Sequence, residues 1–353
     1  MNIAISSRNN LIVKVFVIGY SLRGESILIL FLDKGSDNKV LYAMVIDSFK
    51  YKSENKTLDI MNEYHIRERK LDMLIWSHPD YDHTYGLNEI IRGYCDENTQ
   101  VVFPYGMTGD DWNKIKFNRE DKNLVRLAME LTERNKLAYE SAGVSRGGLS
   151  SLNQIIFKDY MGELEVSINA ISPHSSKINY LMHTAQEIKK NCFSISLLIQ
   201  IGNVSKYNLL FLADTENEEI DMMCSNAFKS PLLLKIPHHT SSTSNHLPEK
   251  IYEQNTNYKP LLACTTIYKS QKLPEPELLQ SYKELFEQID WTGTSSSPNK
   301  KYGFIEYAFD LYDRGCVEIK HCGHASTVDD GRMVNIWKLF QKKTKKDGRD
   351  FYR

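Results

Sequence analysis

No stretch of this 353-residue sequence is apolar for long enough to cross a membrane, and runs such as Ile27 to Leu32 have only the length of a β-strand. Its six cysteines are scattered, as Cys95, Cys192, Cys224, Cys264, Cys316 and Cys322, with no Cys-x-x-Cys and no tight pair. That spacing speaks for reduced thiols and against a disulfide framework. Neither sign of charge dominates: 44 basic against 45 acidic residues leave a formal net charge of -1. Strong bulk attraction to nucleic acid or anionic lipid is therefore not expected, although a locally basic groove is compatible with that balance. Internal repeats and low-complexity tracts are absent. The opening residues, MNIAISSRNNLIVKVFVIGY, lack the apolar core and small-residue cleavage site of a secretion signal. A cytoplasmic location without membrane attachment is the expectation.

What is present is the composition of a globular protein, 41% apolar and 25% charged, at a length that buries a substantial core. Residues 11 to 47 read as three strands, "LIVKVFVIGY", "ESILILFL" and "VLYAMVID", split by Gly-, Asn- and Asp-bearing turns. A helical pattern over residues 55–70 leads into the short apolar strand "LDMLIW", followed by a helix at "GLNEIIRGY" and a strand at "TQVVFPYG". The spacing in "NREDKNLVRLAMELTERNKLAYESAG" predicts one amphipathic helix ended by Gly143, within a helical insertion or lid at about residues 108–150. Strand character then returns in "LNQIIF", "GELEVSINAISP", "FSISLLIQIG", "KYNLLFLAD", "PLLLKIP" and "KPLLACTTI". A helix begun by proline at "PEPELLQSYKELFEQ" and two late strands, "YGFIEYAFDLY" and "CVEIKHCG", complete the body. One domain over residues 1–330 and a basic tail over 331–353 are expected.

Three clusters of histidine and aspartate each follow an apolar strand. The first is "SHPDYDHTYG", with His78, Asp80, Asp82 and His83; the second is Asp214 in "LLFLADTE"; the third is His238 and His239 in "LLLKIPHHTSS". Strand ends that open into loops are where α/β folds build sites. Imidazole nitrogen and carboxylate oxygen are the donors that Zn²⁺ and Mn²⁺ take, and a lone aspartate between two histidine-bearing loops suits a bridge between two ions.

The first cluster resembles the signature of the metallo-β-lactamase superfamily, Ser/Thr-His-x-His-x-Asp-His-x-x-Gly. Ser77 to Gly86 match it throughout except that Asp80 stands where the second histidine is usual. That His-x-Asp-x-Asp-His form, with "LLFLADTE", "KIPHHTSS" and the early "GESILIL" and "VIDS", is similar to the hydrolase domain of ComEC-type proteins. The resemblance spans roughly residues 11–320 apart from 108–150. It implies a metallo-β-lactamase-like αββα sandwich, two mixed β-sheets packed face to face with helices outside. It also implies two zinc ions, or Mn²⁺ or Mg²⁺ in their place, held by His78, Asp80, Asp82, His83, Asp214 and one of His238 and His239, with His239 favoured by its spacing to Ser241. The histidine usual some twenty residues before the bridging aspartate is missing, and Asn191 or water is expected to complete the first ion. His174 is an outside candidate there. Ala213, Ser48 and Thr240 stand where the family commonly has glycine.

Two ions sharing a hydroxide, with Asp82 orienting it and accepting its proton, make a hydrolase the expected activity. An oxygen-rich centre favours phosphodiesters, so a nuclease or phosphodiesterase on DNA, RNA or a nucleotide is the leading expectation. Hydroxyls after His239, Ser241 among them, are placed to meet phosphate. A hydrolase of a small ester, lactone or cyclic nucleotide is the second reading. An impaired scaffold within a multi-protein, defence-like system, with its partner encoded nearby, is the third.

Overall fold

The computed structural model describes residues 1–5, 10–20, 22–107, 114–134, 136–160, 162–202, 207–257, 259–293, 302–311 and 316–328. The basic tail and residues 108–113 of the expected insertion lie outside them. Two large mixed sheets face each other. One runs, edge to edge, Cys316–Cys322, Tyr302–Asp310, Leu11–Tyr20, Glu25–Asp33, Lys39–Ile46, Met73–Ile75, Gln100–Pro104 and Ala138–Ala142. The other runs Asn2–Ala4, Ser150–Asp159, Gly162–Ala170, Leu197–Ile201, Tyr207–Phe211, Pro231–Lys235, Leu262–Thr265, Gln288–Trp291 and Ser326–Thr327.

Strand periodicity sorts side chains into layers. Val13, Val15 and Val17 point between the sheets, where they meet Phe157, Ile168, Ile199 and Phe211 of the opposite sheet. Their neighbours Phe16 and Ile18 point outward beneath helices Lys56–Glu63, Leu87–Tyr94 and Arg119–Glu133. Glu25–Asp33 is buried along its whole length, which explains why "ESILILFL" is apolar on both faces rather than alternating. On the far side, Leu210, Leu212 and Leu234 lie under helices Asn217–Met222, Leu247–Gln254 and Pro276–Leu285. The expected αββα sandwich is the observed architecture. No helix among the described residues is long and apolar enough to cross a membrane, and Cys95, Cys192, Cys224, Cys264 and Cys322 are free thiols.

Asn2–Ala4 and Gln288–Trp291 are strands where the sequence pattern predicts none, and a third stretch departs from it outright. The amphipathic helix stops at Glu133, and Ala138–Ala142 forms an edge strand parallel to Gln100–Pro104. Backbone pairing at the open sheet edge outweighs a weak helical preference. The helix itself packs down, burying Leu124, Val125, Leu127 and Ala128 against the outer face.

Six parallel pairings bring strand carboxyl ends to one rim of the sandwich. Ile46, Ile75, Phe211, Lys235 and Thr265 end strands there. Glu25 starts a strand antiparallel to Lys39–Ile46, so it belongs to the same rim.

Candidate metal centre

The loop after Met73–Ile75 is locked by its neighbours. Ser48 N–H donates to the His83 carbonyl and Gly86 N–H to the Ser48 carbonyl, at 3.0 and 2.8 Å. A Cβ on Gly86 would stand 2.3 Å from Ser48 Oγ, which is why the motif ends in glycine. His78, Asp82 and His83 are thereby buried at the head of the short helix Tyr81–Thr84.

Asp214 sits at the middle of the cluster. Its Oδ1 lies 3.4 Å from His83 Nε2 and 3.9 Å from His239 Nε2. Its Oδ2 lies 3.7 Å from His78 Nε2 and 3.8 Å from His238 Nε2. Asp82 Oδ2 closes one half, 3.3 Å from His239 Nε2 and 3.9 Å from His83 Nε2. These separations exceed those of hydrogen bonds. Donors sharing a tetrahedral zinc stand roughly 3.3 Å apart, given metal–donor bonds of about 2.0–2.2 Å. Among the described residues, His78 Nε2, Asp82 Oδ2, His83 Nε2, Asp214 Oδ1 and His239 Nε2 are buried without a hydrogen-bond partner. Orphaned polar atoms are rare in protein interiors, and five gathered about the Asp214 carboxylate call for partners that the protein itself does not supply.

The outer nitrogens fix which way each imidazole offers its lone pair. Thr266 has a single hydroxyl proton, donated to Glu25 Oε2 at 2.6 Å, so at 2.7 Å it accepts from His239 Nδ1–H. Ser77 likewise donates to Asp47 Oδ2 at 2.5 Å and accepts from His78 Nδ1–H at 3.0 Å. His83 Nδ1 donates to Asp47 Oδ2 at 2.7 Å. Thr243 donates to Ser241 Oγ, leaving its oxygen to accept from His238 Nδ1–H at 2.8 Å. All four rings thus turn Nε2 inward, as supported metal-binding histidines do. Ligand-type atoms of Glu25, His83 and His239, and of Asp47, His78 and His83, also lie within 4.8 Å of one another. The carboxylates in those groups are already occupied: Glu25 by Lys235 at 2.5 Å and by Thr266, Asp47 by Ser77 and His83. They support the centre from behind.

The charge balance points the same way. Glu25, Asp47, Asp82 and Asp214 are buried carboxylates, and Lys235 is the buried ammonium among them. Burial opposes the charge on Asp82, but His83 and His239 outweigh it and hold the carboxyl at about 2. Asp214 is likewise drawn well below its ordinary range, against burial, by His83, His238 and His239. Burial and the neighbouring His83 lower His78. His83 is opposed by burial yet raised well above the usual imidazole value by Asp214, Asp47 and Asp82, so a proton and a cation compete for its Nε2. The cluster fits divalent cations.

No protein-family model matches the chain, and no curated protein does. The solved structures that match the chain include two metallo-beta-lactamases. The Rm3 metallo-beta-lactamase is 15% identical, covering 60% of this chain and 69% of that one, with a TM-score of 0.27. The metallo-beta-lactamase GOB-18 from Elizabethkingia meningoseptica is 10% identical, covering 74% and 81%, with a TM-score of 0.26. At these values the likeness carries no argument about chemistry.

Three expected site residues have other partners. Asp80 caps the Tyr81–Thr84 helix, its Oδ1 accepting from Tyr81 N–H at 2.7 Å and lying 3.8 Å from Lys190 Nζ. Asn191 turns its amide nitrogen to Glu216 Oε1 at 3.1 Å, with the same nitrogen 3.5 Å from His238 Nε2, so its oxygen is not the atom facing the cluster. Ser241 Oγ accepts from Thr243 and caps its own turn. His174, the outside candidate, hydrogen-bonds Glu219 Oε2 at 2.5 Å. His238 and His239 are both brought in, on opposite oxygens of Asp214.

That double use needs an unusual backbone. His238, His239 and Thr240 have φ of 47°, 51° and 64°, and Ala213 has φ 43°. Left-handed conformations cost non-glycine residues about 1–2 kcal/mol each and gather at functional sites. Glycine would suit the positions of Ala213 and Thr240. The turn is held by His238 N–H to the Ala213 carbonyl at 2.8 Å, Glu275 N–H to the Thr240 carbonyl at 3.0 Å, and Thr240 Oγ1 to Thr265 Oγ1 at 2.8 Å. Glu25, Asp47 and Thr266 are the supporting residues that sequence reasoning passed over. The lysine inside the apolar strand "PLLLKIP" was a signal for Glu25, since a buried ammonium needs a buried acid.

Proposed function

We propose that this chain is a metal-dependent hydrolase of phosphate esters, of the metallo-β-lactamase-like kind, with DNA, RNA or nucleotides as its substrate class. The observation that carries the reading is Asp214, each of whose oxygens faces two inward Nε2 atoms across 3.4–3.9 Å. In this assignment His78, His238 and Asp214 would hold one cation, and Asp82, His83, His239 and Asp214 would hold the other. Zinc suits the donors, with Mn²⁺ and Mg²⁺ as the alternatives to test. Paired divalent cations supply activation of water and stabilisation of charge on the attacked group. The protein's part is to keep four imidazoles in one tautomer, exclude bulk water from the outer nitrogens of His78, His83 and His239, and hold Asp82 ionised. Asp82 orients the attacking water and takes its proton on the carboxylate.

The phosphate-ester assignment does not draw on Asp80, which is engaged as a helix cap. Its support is an arginine beside the centre, Arg23, whose guanidinium lies 4.6 Å from the Tyr81 ring centroid and which has no ion pair with a carboxylate among the described residues. Metal analysis of the purified chain is expected to find two equivalents of transition metal. A panel of single- and double-stranded DNA, RNA, dinucleotides and neutral esters, with Zn²⁺ or Mn²⁺, is expected to show phosphodiester cleavage that Asp82→Ala abolishes. Equal activity in Asp82→Ala, or turnover of neutral esters alone, overturns the reading.

A further inference from the structure

Arg23 leaves the turn between Leu11–Tyr20 and Glu25–Asp33, two residues before the carboxylate that backs His239 through Thr266. The next residue, Gly24, has φ +108°, and a Cβ there would stand 2.2 Å from the Phe49 ring. The turn is pressed onto the aromatic group beside the centre, and Arg23 is directed by it. Its guanidinium lies 4.6 Å from the centroid of the Tyr81 ring. Tyr81 stands between Asp80 and Asp82 in the chain and stacks on Tyr85 at 4.8 Å and 24°. On the other side Tyr268 turns an edge to His239, ring centroids 5.4 Å apart. Arg23 hydrogen-bonds the Tyr268 phenol through its side chain.

Four buried or half-buried lysines are matched by acids. Lys50 pairs with Glu89 at 2.6 Å, Lys190 with Asp121 at 3.0 Å, Lys177 with Glu218 at 2.8 Å, and Lys235 with Glu25 at 2.5 Å. Arg23, half-buried, has no ion pair among the described residues. A guanidinium carries five N–H donors, so beyond the bond to Tyr268 Arg23 keeps others that can meet the oxygens of a phosphate. Tyr81 is meanwhile engaged by Arg23, Tyr85 and Phe49, which leaves little of its ring for a base to stack on.

We propose that Arg23, braced by Tyr81 and Tyr268, is the substrate clamp of this site and grips a phosphate oxyanion on the Asp82–His239 side of the centre. The clamp rests on the phosphate-ester reading and sharpens it: recognition is through the phosphate, not the base, and a neutral ester gains nothing from it. Sequence preference among nucleic acids is accordingly weak.

The test uses the full chain reconstituted with zinc, with inorganic phosphate as the calorimetric probe and bis(p-nitrophenyl) phosphate and p-nitrophenyl acetate as substrates. Arg23→Gln is expected to weaken phosphate binding at least tenfold with metal content and thermal midpoint unchanged. Arg23→Lys, which keeps the charge and loses the fork, is expected to fall between the two. Tyr268→Phe, which removes only a hydroxyl, is expected to weaken phosphate binding about two- to fivefold. Loss of kcat/KM in Arg23→Gln is expected to be at least five times greater for the phosphate diester than for the acetate. Phosphate binding equal to wild type in Arg23→Gln, or a wild-type protein that binds no phosphate, overturns the clamp. Arg23-dependent phosphate binding without cleavage of any phosphate ester keeps the clamp and overturns the hydrolase reading instead.

Discussion

Thr266 Oγ1 stands 2.7 Å from His239 Nδ1 while its proton goes to Glu25 at 2.6 Å, so a threonine sets the tautomer of a candidate metal ligand. Its near-isosteric replacement by valine removes the acceptor and leaves the packing. Supporting partners of ligating histidines are worth about 10–100-fold in metal affinity. Thr266→Val is expected to lose about that much in a chelator-competition titration, and Thr266→Ser to restore most of it. Unchanged affinity in the valine variant would count against the proton assignment.

Asp214 divides the cluster, so its two histidine pairs are expected to fail separately. His238 Nε2 is 3.8 Å from Oδ2, whereas His239 Nε2 is 3.3 Å from Asp82 Oδ2. His238→Ala is expected to retain one equivalent of zinc, held by Asp82, His83, His239 and Asp214. Asp214→Asn touches both halves and is expected to retain neither. Mass-spectrometric metal counting on dialysed protein separates these outcomes. Loss of both equivalents in His238→Ala would mean that the two positions are one site.

The strands, the rim and the three His/Asp clusters were legible because each is local. Alternation marks a strand, and a ligand-rich loop follows it within a few residues. What was not legible is what the fold brings together over distance. Glu25 and Thr266 meet across 241 residues, and Asp47 and Ser77 across 30. The choice between His238 and His239 dissolved only in three dimensions, because consecutive left-handed residues let adjacent rings face opposite oxygens of Asp214. Asp80, a ligand position in the motif, has its Oδ1 on Tyr81 N–H, a local contact open to an aspartate just before a helix. The strand Ala138–Ala142 was hidden by its own composition and exists because an edge was open to it.

Strain at Ala213 is open to direct measurement. Its φ of 43° is costly for alanine and free for glycine. Ala213→Gly relieves about 1–2 kcal/mol of strain but gives back about 0.5–1 kcal/mol through the freer unfolded chain. A net gain of about 0.5–1 kcal/mol is expected in urea unfolding of the metal-free protein. A loss of stability would show that the methyl group's packing outweighs the backbone.

Away from the centre, Glu219 gives the protein an acid-sensitive joint. Its buried carboxylate bonds His174 Nδ1 at 2.5 Å and Lys177 Nζ at 3.1 Å, joining the helix Asn217–Met222 to the start of Ser175–Thr184. Burial opposes its charge, but the His174 hydrogen bond and Lys177 outweigh it and draw the carboxyl below its ordinary 4.5. The folded state therefore binds this proton more weakly than the unfolded chain does. The stability it contributes is fully present above about pH 4.5 and is lost as pH falls through the lower folded value. Thermal midpoints of the wild type are expected to drop below that pH. Glu219→Gln, less stable at neutral pH, is expected to show a shallower acid limb that meets the wild-type curve at low pH. Parallel curves for the two proteins would assign the acid limb to other carboxylates.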